Sequence, residues 1–204
     1  MWHSRLDVIT ADPQRLEEAV SCFESAVRPE VESQPGSLGI SLYTKPDLGM
    51  AVLDSVWASL DALAGSEQVA AAARRDAVRR AAATVSVERY QMPVFELDRP
   101  LDAGAGLRFT RMDIEPSLVE DGVEEFGDDV VPWLADTTGF LSAQLLVDTE
   151  TGRAVSETNW LDADALAASR SVAAAMEVEM RDAGGWNIRA VEEYSLVYSS
   201  ARKA

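Results

Sequence analysis

The sequence is poor in the residues that build most metal and redox sites. Its 204 residues include one cysteine, Cys22, and one histidine, His3. A single cysteine excludes an intrachain disulfide, and these two residues cannot form a Cys/His zinc site within one chain. A Cys–His catalytic pair would have to join Cys22 to a residue near the chain start, where order is often low. The composition therefore removes much metal and nucleophilic chemistry.

Basic residues and long apolar runs are also scarce. The chain has 18 Lys and Arg against 35 Asp and Glu, for a formal net charge of −17. Phosphate binding requires a cationic surface, so this balance predicts no nucleic-acid partner and disfavours anionic membranes. No run of eighteen apolar residues occurs, and the first residues lack the basic and apolar regions of a signal peptide. We expect a soluble, cytoplasmic protein that does not bind membranes.

Two stretches of the chain resemble each other. Residues 52–63, VLDSVWASLDAL, match residues 155–166, VSETNWLDADAL, with 103 residues between Trp57 and Trp160. The same offset joins further pairs along both halves: Arg5/Arg108, Pro13/Pro116, Phe23/Phe126, Pro29/Pro132, Gly36/Gly139 and Gly49/Gly152. A matched series over most of each half predicts a tandem duplication.

Each half also predicts the same order of secondary structure. In the first half, a strand at residues 5–10 precedes a helix with Asp12 as N-cap and Pro13 in its first turn. A strand, a turn at residues 45–49 and a returning strand follow, then a helix for which Ser66 is the expected cap. Residues 85–97 form the last strand. This βαββαβ order is that of a ferredoxin-like unit.

The repeat gives a prediction for the whole chain. We predict one ferredoxin-like repeat at residues 1–97, a linker rich in Gly and Pro at residues 98–106 and a second repeat at residues 107–204. Helices cover one face of each sheet, and the other copy of the sheet can cover the second face. The expected fold class is α+β, with an intrachain, pseudo-twofold α+β barrel.

The segments after the central strands carry a resemblance to a known family. VWASLDALAGSEQVAAAA and, more loosely, NWLDADALAASRSVAAAM resemble the dimeric α+β barrel superfamily, and within it the antibiotic-biosynthesis-monooxygenase-like group. Members usually pair two chains, so the resemblance implies that the second copy replaces the partner. The group includes cofactor-independent oxygenases of aromatic polyketides and haem-degrading enzymes.

The haem-degrading branch of this family differs from the present chain. Its helix histidine falls on Asp76 and Glu179, and its catalytic tryptophan falls on Ser66 and Ser169. Neither first strand supplies the asparagine that those enzymes use. The resemblance therefore argues against haem cleavage and implies chemistry without metal, flavin or haem.

Strand alternation assigns the candidate site residues to the barrel interior. Trp57 and Trp160 should pack beneath the helices, since large aromatics dominate core burial. On the other face, a tyrosine–glutamate set could deprotonate a phenol, because burial raises carboxyl pKa values. The predicted catalytic residues are Tyr90, Tyr194, Glu88 and Glu192, and the predicted substrate-binding residues are Tyr43, Asp54, Arg111, Gln144, Glu157 and Asn159.

The same residues have a structural interpretation. Carboxylates at strand ends or at the barrel rim commonly form ion-pair networks with arginines. We also expect Arg5 and Arg108 in rim salt bridges, since unpaired charge is rarely buried. The halves differ at three interior positions, where Asn159, Gln144 and Arg111 replace Val56, Ser41 and Val8. We therefore expect one pocket, biased to one half.

The leading hypothesis is a cofactor-independent monooxygenase-like protein that binds a small aromatic or polyketide-like molecule in the barrel. The alternative is a non-catalytic ligand-binding, structural or partner-binding barrel, because one fold hosts many functions. We expect a monomer with a pseudo-dimeric barrel or a weak homo-oligomer.

Overall fold

The strands form a closed antiparallel barrel. The computed structural model describes residues 1–182 and 185–201. The strands in these ranges are β1 (Trp2–Thr10), β2 (Ser37–Lys45), β3 (Met50–Trp57), β4 (Thr84–Leu97), β5 (Gly106–Asp113), β6 (Phe140–Asp148), β7 (Arg153–Trp160) and β8 (Asn187–Ser199). Their hydrogen-bonded order is β1-β3-β2-β8-β5-β7-β6-β4, closed into a barrel. The predicted α+β barrel is confirmed.

Helices follow the first and third strand of each half. They are α1 (Leu16–Cys22), α2 (Arg28–Glu32), α3 (Leu60–Ala81), α4 (Val119–Glu125), α5 (Val131–Ala135), α6 (Ala163–Ala168) and α7 (Arg170–Asp182). In the described residues, none of these helices combines the length and the apolar composition needed to span a bilayer.

A wide helical turn precedes each of the helix prolines. Residues Phe23–Val27 and Phe126–Val130 form π-helical turns between α1 and α2 and between α4 and α5. The Arg28 N–H bonds to the Phe23 carbonyl, five residues earlier. Pro29 follows and cannot donate a backbone hydrogen bond, so the regular pattern is interrupted at this point. The interruption takes the form of a π-turn, a feature frequent at functional sites.

The predicted serine caps are wrong. Helix α3 begins at Leu60, and Ser59 caps it by accepting from the Ala62 N–H at 3.2 Å. Ser66 lies inside α3, where its hydroxyl donates to the Leu63 carbonyl at 2.7 Å. Ser169 directly precedes α7, but its hydroxyl donates backward to the Leu166 carbonyl at 2.8 Å. The extended Ser59 backbone leaves its hydroxyl free to satisfy the first-turn amides, which places the helix start about two turns earlier.

The described contacts divide the chain into two compact units. Unit 1 comprises residues 1–89 and the segment beginning at Leu196, and unit 2 comprises residues 90–195. The boundaries between the units therefore fall within β4 and within β8, the last strands of the two halves. In unit 1 the end of the chain lies beside β2, where the Ser200 N–H bonds to the Ile40 carbonyl at 2.8 Å. In unit 2 the second part of β4 pairs with β6, with Gln91 opposite Val147. The domain limits predicted from sequence stay a prediction.

Each unit has its own core between helices and sheet. In unit 1, Phe23 and Trp57 belong to one buried cluster, and in unit 2 Phe126 and Trp160 belong to another. The indole N–H of Trp57 donates to the Ser55 hydroxyl, and that of Trp160 to the Thr158 hydroxyl, both at 3.1 Å. Both tryptophans are fully buried, so each serves packing and satisfies its one polar group locally.

Candidate functional site

The structure places one group of predicted site residues on the sheet face of unit 2 that points away from its helices. On β5, Phe109 lies opposite Glu157 of β7 and Glu192 of β8. The Tyr194 hydroxyl donates to Glu192 at 3.0 Å, and Arg111 Nε lies 3.8 Å from the same carboxylate. The Arg111 guanidinium also lies 4.9 Å from the centre of the Phe109 ring. Tyr194, Glu192 and Arg111 therefore form one hydrogen-bonded and ionic group.

A second group lies on the same face of unit 2. Gln144 donates to Glu157, which is completely buried. Asn159 donates to the Ser142 hydroxyl at 3.0 Å, and its own Oδ1 is buried without a hydrogen-bond partner in the described residues. In the pairing of β6 with β7, Gln144 lies opposite Glu157 and Ser142 lies opposite Asn159.

The other predicted residues are divided between the units. In unit 1, Asp54 accepts a 2.5 Å hydrogen bond from Ser4, and Tyr43 is buried on the neighbouring strand. Glu88 is half-buried and belongs to unit 1, whereas Tyr90 is buried and belongs to unit 2. Their roles as catalytic and substrate-binding residues stay predictions.

The expectation of rim salt bridges for two arginines is wrong. The Arg5 side chain is 0% exposed and that of Arg108 is 5% exposed. Both lie on the helix-covered face, because Arg5 bonds to Ser66 of α3 and Arg108 bonds to Ser169. Their burial is tolerated because polar groups of the helix segments supply partners.

In unit 1 the buried arginine belongs to an ion network. Arg5 lies 3.4 Å from Glu67, which also accepts from Arg74 at 2.5 Å and pairs with Arg89 at 2.9 Å. Arg74 lies 3.5 Å from Asp7. Burial raises the pKa of the Asp7 carboxyl to about 6, although Arg74 and Arg5 favour its charged form. The unit thus holds a carboxylate of its own beside two buried arginines.

In unit 2 the arrangement of charges differs. Arg108 donates to the Ser169 hydroxyl at 2.8 Å, the Leu166 carbonyl at 3.0 Å and Glu193 at 3.1 Å. Arg170 forms a 2.5 Å ion pair with the same Glu193. The hydrogen bond from Arg170 is the main cause that holds the pKa of Glu193 below its ordinary value, and Arg108 adds to the effect. Two arginines therefore share one carboxylate.

Unit 2 contains a pocket next to Arg108, between the helix-covered sheet face and the helices. Its cavity volume is about 40 Å³, and the surrounding envelope of about 440 Å³ includes space open to solvent. One wall is polar and comes from the strands: Arg108, Thr110, Ser156 and Thr158. The remaining lining is mostly apolar: Met112, Phe126, Val130, Leu134, Ala173, Met176 and Ile188. Phe126 and Val130 belong to the π-turn, so the helix irregularity forms part of the wall.

The chemistry of the lining residues is limited. None of these described lining residues is a carboxylate, an imidazole or a thiol. In the described parts of the chain, no group of three His, Cys, Asp or Glu side chains is arranged to hold a metal ion. The pocket can provide one cation, three hydroxyls and an apolar surface for a ligand.

Sequence reasoning did not identify this pocket as a site. We assigned Arg108 to the rim, and Phe126 entered only as a member of the repeat. The available signal was the repeat alignment, which places Thr110 on Asp7 and Ser156 on Leu53. Each change removes either charge or apolar volume from the second half, which is what an opened pocket would require.

The barrel topology and the helix-covered sheets define the class of fold, an α+β barrel formed by one chain. An anthrone oxidase-like protein shares this fold, with 14% identity, coverage of 98% of this chain and 93% of that chain, and a TM-score of 0.71. A monooxygenase-like protein from Listeria innocua is 9% identical, with coverage of 94% and 92% and a TM-score of 0.57. The heme-degrading enzyme of Listeria monocytogenes is 8% identical, with coverage of 94% and 98% and a TM-score of 0.52.

Two proteins of Mycobacterium tuberculosis are similar to this chain in sequence. The chain is 27% identical over 184 residues to an uncharacterised protein of Mycobacterium tuberculosis, covering 90% of this chain and 82% of that protein. It is 27% identical over 201 residues to a second uncharacterised protein of the same organism, covering 98% and 85%. No protein-family model matches the chain.

Proposed function

We propose that this protein is monooxygenase-like and binds a small aromatic molecule in the pocket of unit 2, without a cofactor. The observation that carries the proposal is the pocket itself, with one polar wall and an otherwise apolar lining that includes Phe126. Small-molecule sites are typically concave and apolar, with a few polar groups that orient the ligand. The fold shared with an anthrone oxidase-like protein supports an aromatic ligand.

Oxygenation would be a second step of the same proposal. A cofactor-free oxygenase must convert its substrate to an electron-rich anion, which reacts with oxygen directly. The pair Tyr194–Glu192, joined at 3.0 Å, supports the acid–base role that we predicted for these residues. This pair lies on the opposite sheet face from the pocket, so catalysis by it would require a substrate bound on its own side.

The second candidate function is non-catalytic binding of the ligand. It is favoured by the absence of a carboxylate or imidazole from the described lining of the pocket. A site of this composition can bind and orient an aromatic ring, but it offers no group that accepts a proton at neutral pH.

Binding is tested by calorimetry and thermal unfolding with 1-naphthol and anthrone, using Ala173→Phe as the blocked variant. Ala173 lines the pocket, whereas Ala174 is exposed on the same helix, so Ala174→Phe is the matched control. A ligand at a hundred times its Kd should stabilise the protein by about 2.7 kcal/mol. We expect this stabilisation in the unaltered protein and in Ala174→Phe, and its loss in Ala173→Phe. Equal binding to all three proteins would contradict the proposed location.

Catalysis is tested by oxygen uptake with the same compounds in buffer containing a metal chelator. Uptake that requires the protein and is lost in Tyr194→Phe, with ligand binding retained, would support the oxygenase function. Binding without any oxygen uptake would favour the non-catalytic candidate.

A further inference from the structure

We propose that the pocket of unit 2 is selective for an aromatic ligand with an anionic oxygen, held by Arg108 where unit 1 has the carboxylate of Asp7. This inference rests on the proposed function, because it names the chemical class of ligand for the same pocket. The anionic oxygen can belong to a carboxylate or a phenolate, and the test below separates these two sources.

Strands β1 and β5, one in each unit, have corresponding residues around the buried arginine. Arg5 and Arg108 occupy the same place in β1 and β5, and both bond to a serine of the helical segment above. Two residues further along each strand, on the same face, unit 1 has Asp7 and unit 2 has Thr110. Asp7 lies opposite Leu53 in the sheet register, and Thr110 lies opposite Ser156. An anionic side chain in unit 1 is thus replaced by a neutral one that lines a pocket.

In unit 1 the chain itself supplies the anion at this place. The Asp7 side chain is 2% exposed and lies 3.5 Å from Arg74. Arg5 also favours the charged form of this carboxyl. A buried carboxylate is tolerated there only because cations surround it. The helix-covered face of this fold can therefore accommodate an anion beside the strand arginine.

In unit 2 the arginine retains donors for a ligand. A guanidinium has five N–H donors. Contacts to Ser169, Leu166 and Glu193 use three of them, one on NH1 and both on NH2. The Nε–H and the second N–H of NH1 have no hydrogen-bond partner within the described residues. These two donors lie on opposite sides of the Nε–Cζ bond, so each can donate one hydrogen bond to an oxygen of a ligand.

Charge balance also favours an anion in this pocket. Among the described side chains, Arg108 and Arg170 share the single carboxylate of Glu193. The side chain of Glu177, the counterpart of Arg74 at the 103-residue offset, lies outside the described residues. A ligand anion beside Arg108 would lie where apolar side chains largely replace water, so its attraction to the guanidinium is stronger than in bulk solvent.

The test compares three probes of one ring system by calorimetry: 2-naphthoate, 2-naphthol and 2-naphthamide. We expect 2-naphthoate to bind the unaltered protein at least tenfold more tightly than 2-naphthamide. 2-Naphthol at a pH above its own pKa reports whether a phenolate is accepted equally well. Because this comparison needs no variant, it remains valid if a substitution prevents folding.

Substitutions at Thr110 place the missing carboxylate in the pocket. Thr110→Asp should weaken 2-naphthoate at least tenfold, because the new carboxylate occupies the anion site as Asp7 does in unit 1. Thr110→Asn has the same size without the charge and should change the affinity less than threefold. Equal affinities of the three probes for the unaltered protein would overturn this inference and leave the proposed function standing. Equal weakening by both substitutions would also overturn it, and failure of all three probes to bind would overturn the proposed function as well.

Discussion

Arg5 of unit 1 and Arg108 of unit 2 occupy equivalent positions at the 103-residue offset but have different surroundings. Both are buried beneath a helical segment and bond to a serine, at 3.0 and 2.8 Å. In unit 1 the space beyond the arginine holds Asp7 and Arg74, which are paired with each other. In unit 2 the corresponding space is a pocket bordered by Thr110. A difference of very few side chains therefore decides whether the site is filled by the chain itself.

The ion pairs above the two arginines are reversed in sign. In unit 1 the helix supplies an acid, Glu67, and the last strand a base, Arg89, at 2.9 Å. In unit 2 the helix segment supplies a base, Arg170, and the last strand an acid, Glu193, at 2.5 Å. The pairing of helix and strand is kept while its polarity is exchanged. Arg5 therefore meets the helix acid, and Arg108 meets the strand acid.

The largest effect is expected when Arg74 is removed from unit 1. Arg74→Met leaves Asp7 buried without its nearest cation, and breaking a buried pair costs about 3–5 kcal/mol. Arg75 is exposed on the same helix, so Arg75→Met should change stability by no more than about 0.5 kcal/mol. Urea unfolding at pH 7.5 measures both. Equal losses in the two variants would show that the network does not stabilise unit 1.

The free energy of unfolding, measured over a series of pH values, should show the titration of the Asp7 carboxyl. Its folded pKa of about 6 lies above the ordinary value of 3.8, so the folded state binds the proton more tightly than the unfolded state. Stability from this group is therefore present at low pH and lost as pH rises from about 4 to about 6. Relative to Asp7→Asn, the unaltered protein should lose about 3 kcal/mol over this interval. A constant difference between the two proteins across the series would contradict the raised pKa.

Unit 2 should show the opposite pH dependence. The pKa of Glu193 is lowered by Arg170 and Arg108, so its contribution to stability is present above the ordinary carboxyl pKa and lost as pH falls. At neutral pH, Glu193→Gln should cost about 1.5–3 kcal/mol, the range for hydrogen bonds to charged groups. The cost should decline in acid, where the unaltered carboxylate is protonated. A cost that grows in acid would contradict this assignment.

The smallest losses of stability are expected when Ser66 or Ser169 is replaced by alanine, and the two losses should differ. Ser66→Ala removes the 3.0 Å partner of Arg5 and leaves Glu67 at 3.4 Å as its remaining hydrogen-bond acceptor among the described residues. Ser169→Ala leaves Arg108 with Leu166 and Glu193. We expect a loss of about 1–2 kcal/mol for Ser66→Ala and about 1 kcal/mol or less for Ser169→Ala. A larger loss of stability in Ser169→Ala than in Ser66→Ala would contradict this prediction.

Much of the fold could be predicted because its signals are local and occur twice. Alternation in the strands, Asp12 at a helix start and the glycines of the two turns each specify nearby backbone. Gly49 and Gly152 have positive φ, and an added Cβ would lie within 2.2 Å of a carbonyl oxygen in each case, as the turn prediction required. The helix start was misplaced because Ser59 and Ser66 are both reasonable caps by composition. Only the packing of Ser66 against Arg5 separates them.

The pocket could not be predicted from the same local signals. Alternation correctly divided the strand residues between two faces, and it placed Tyr194, Glu192 and Arg111 together. It gave no reason to look for space beneath the helices, because Phe126 and Met176 are ordinary core residues. Burial of Arg108 depends on partners 58, 61 and 85 residues away along the chain. The tandem duplication and the predicted site roles stay predictions, and the cytoplasmic location is likewise untested.

The most direct test of the central claim is a crystal structure of the unaltered protein with 2-naphthoate. We expect the naphthalene ring to contact Phe126 and Met176 in unit 2, with the carboxylate within hydrogen-bonding distance of Arg108. We expect no ligand beside Arg5 in unit 1. Ligand density beside Arg5, or density on the opposite sheet face with none beside Arg108, would contradict it.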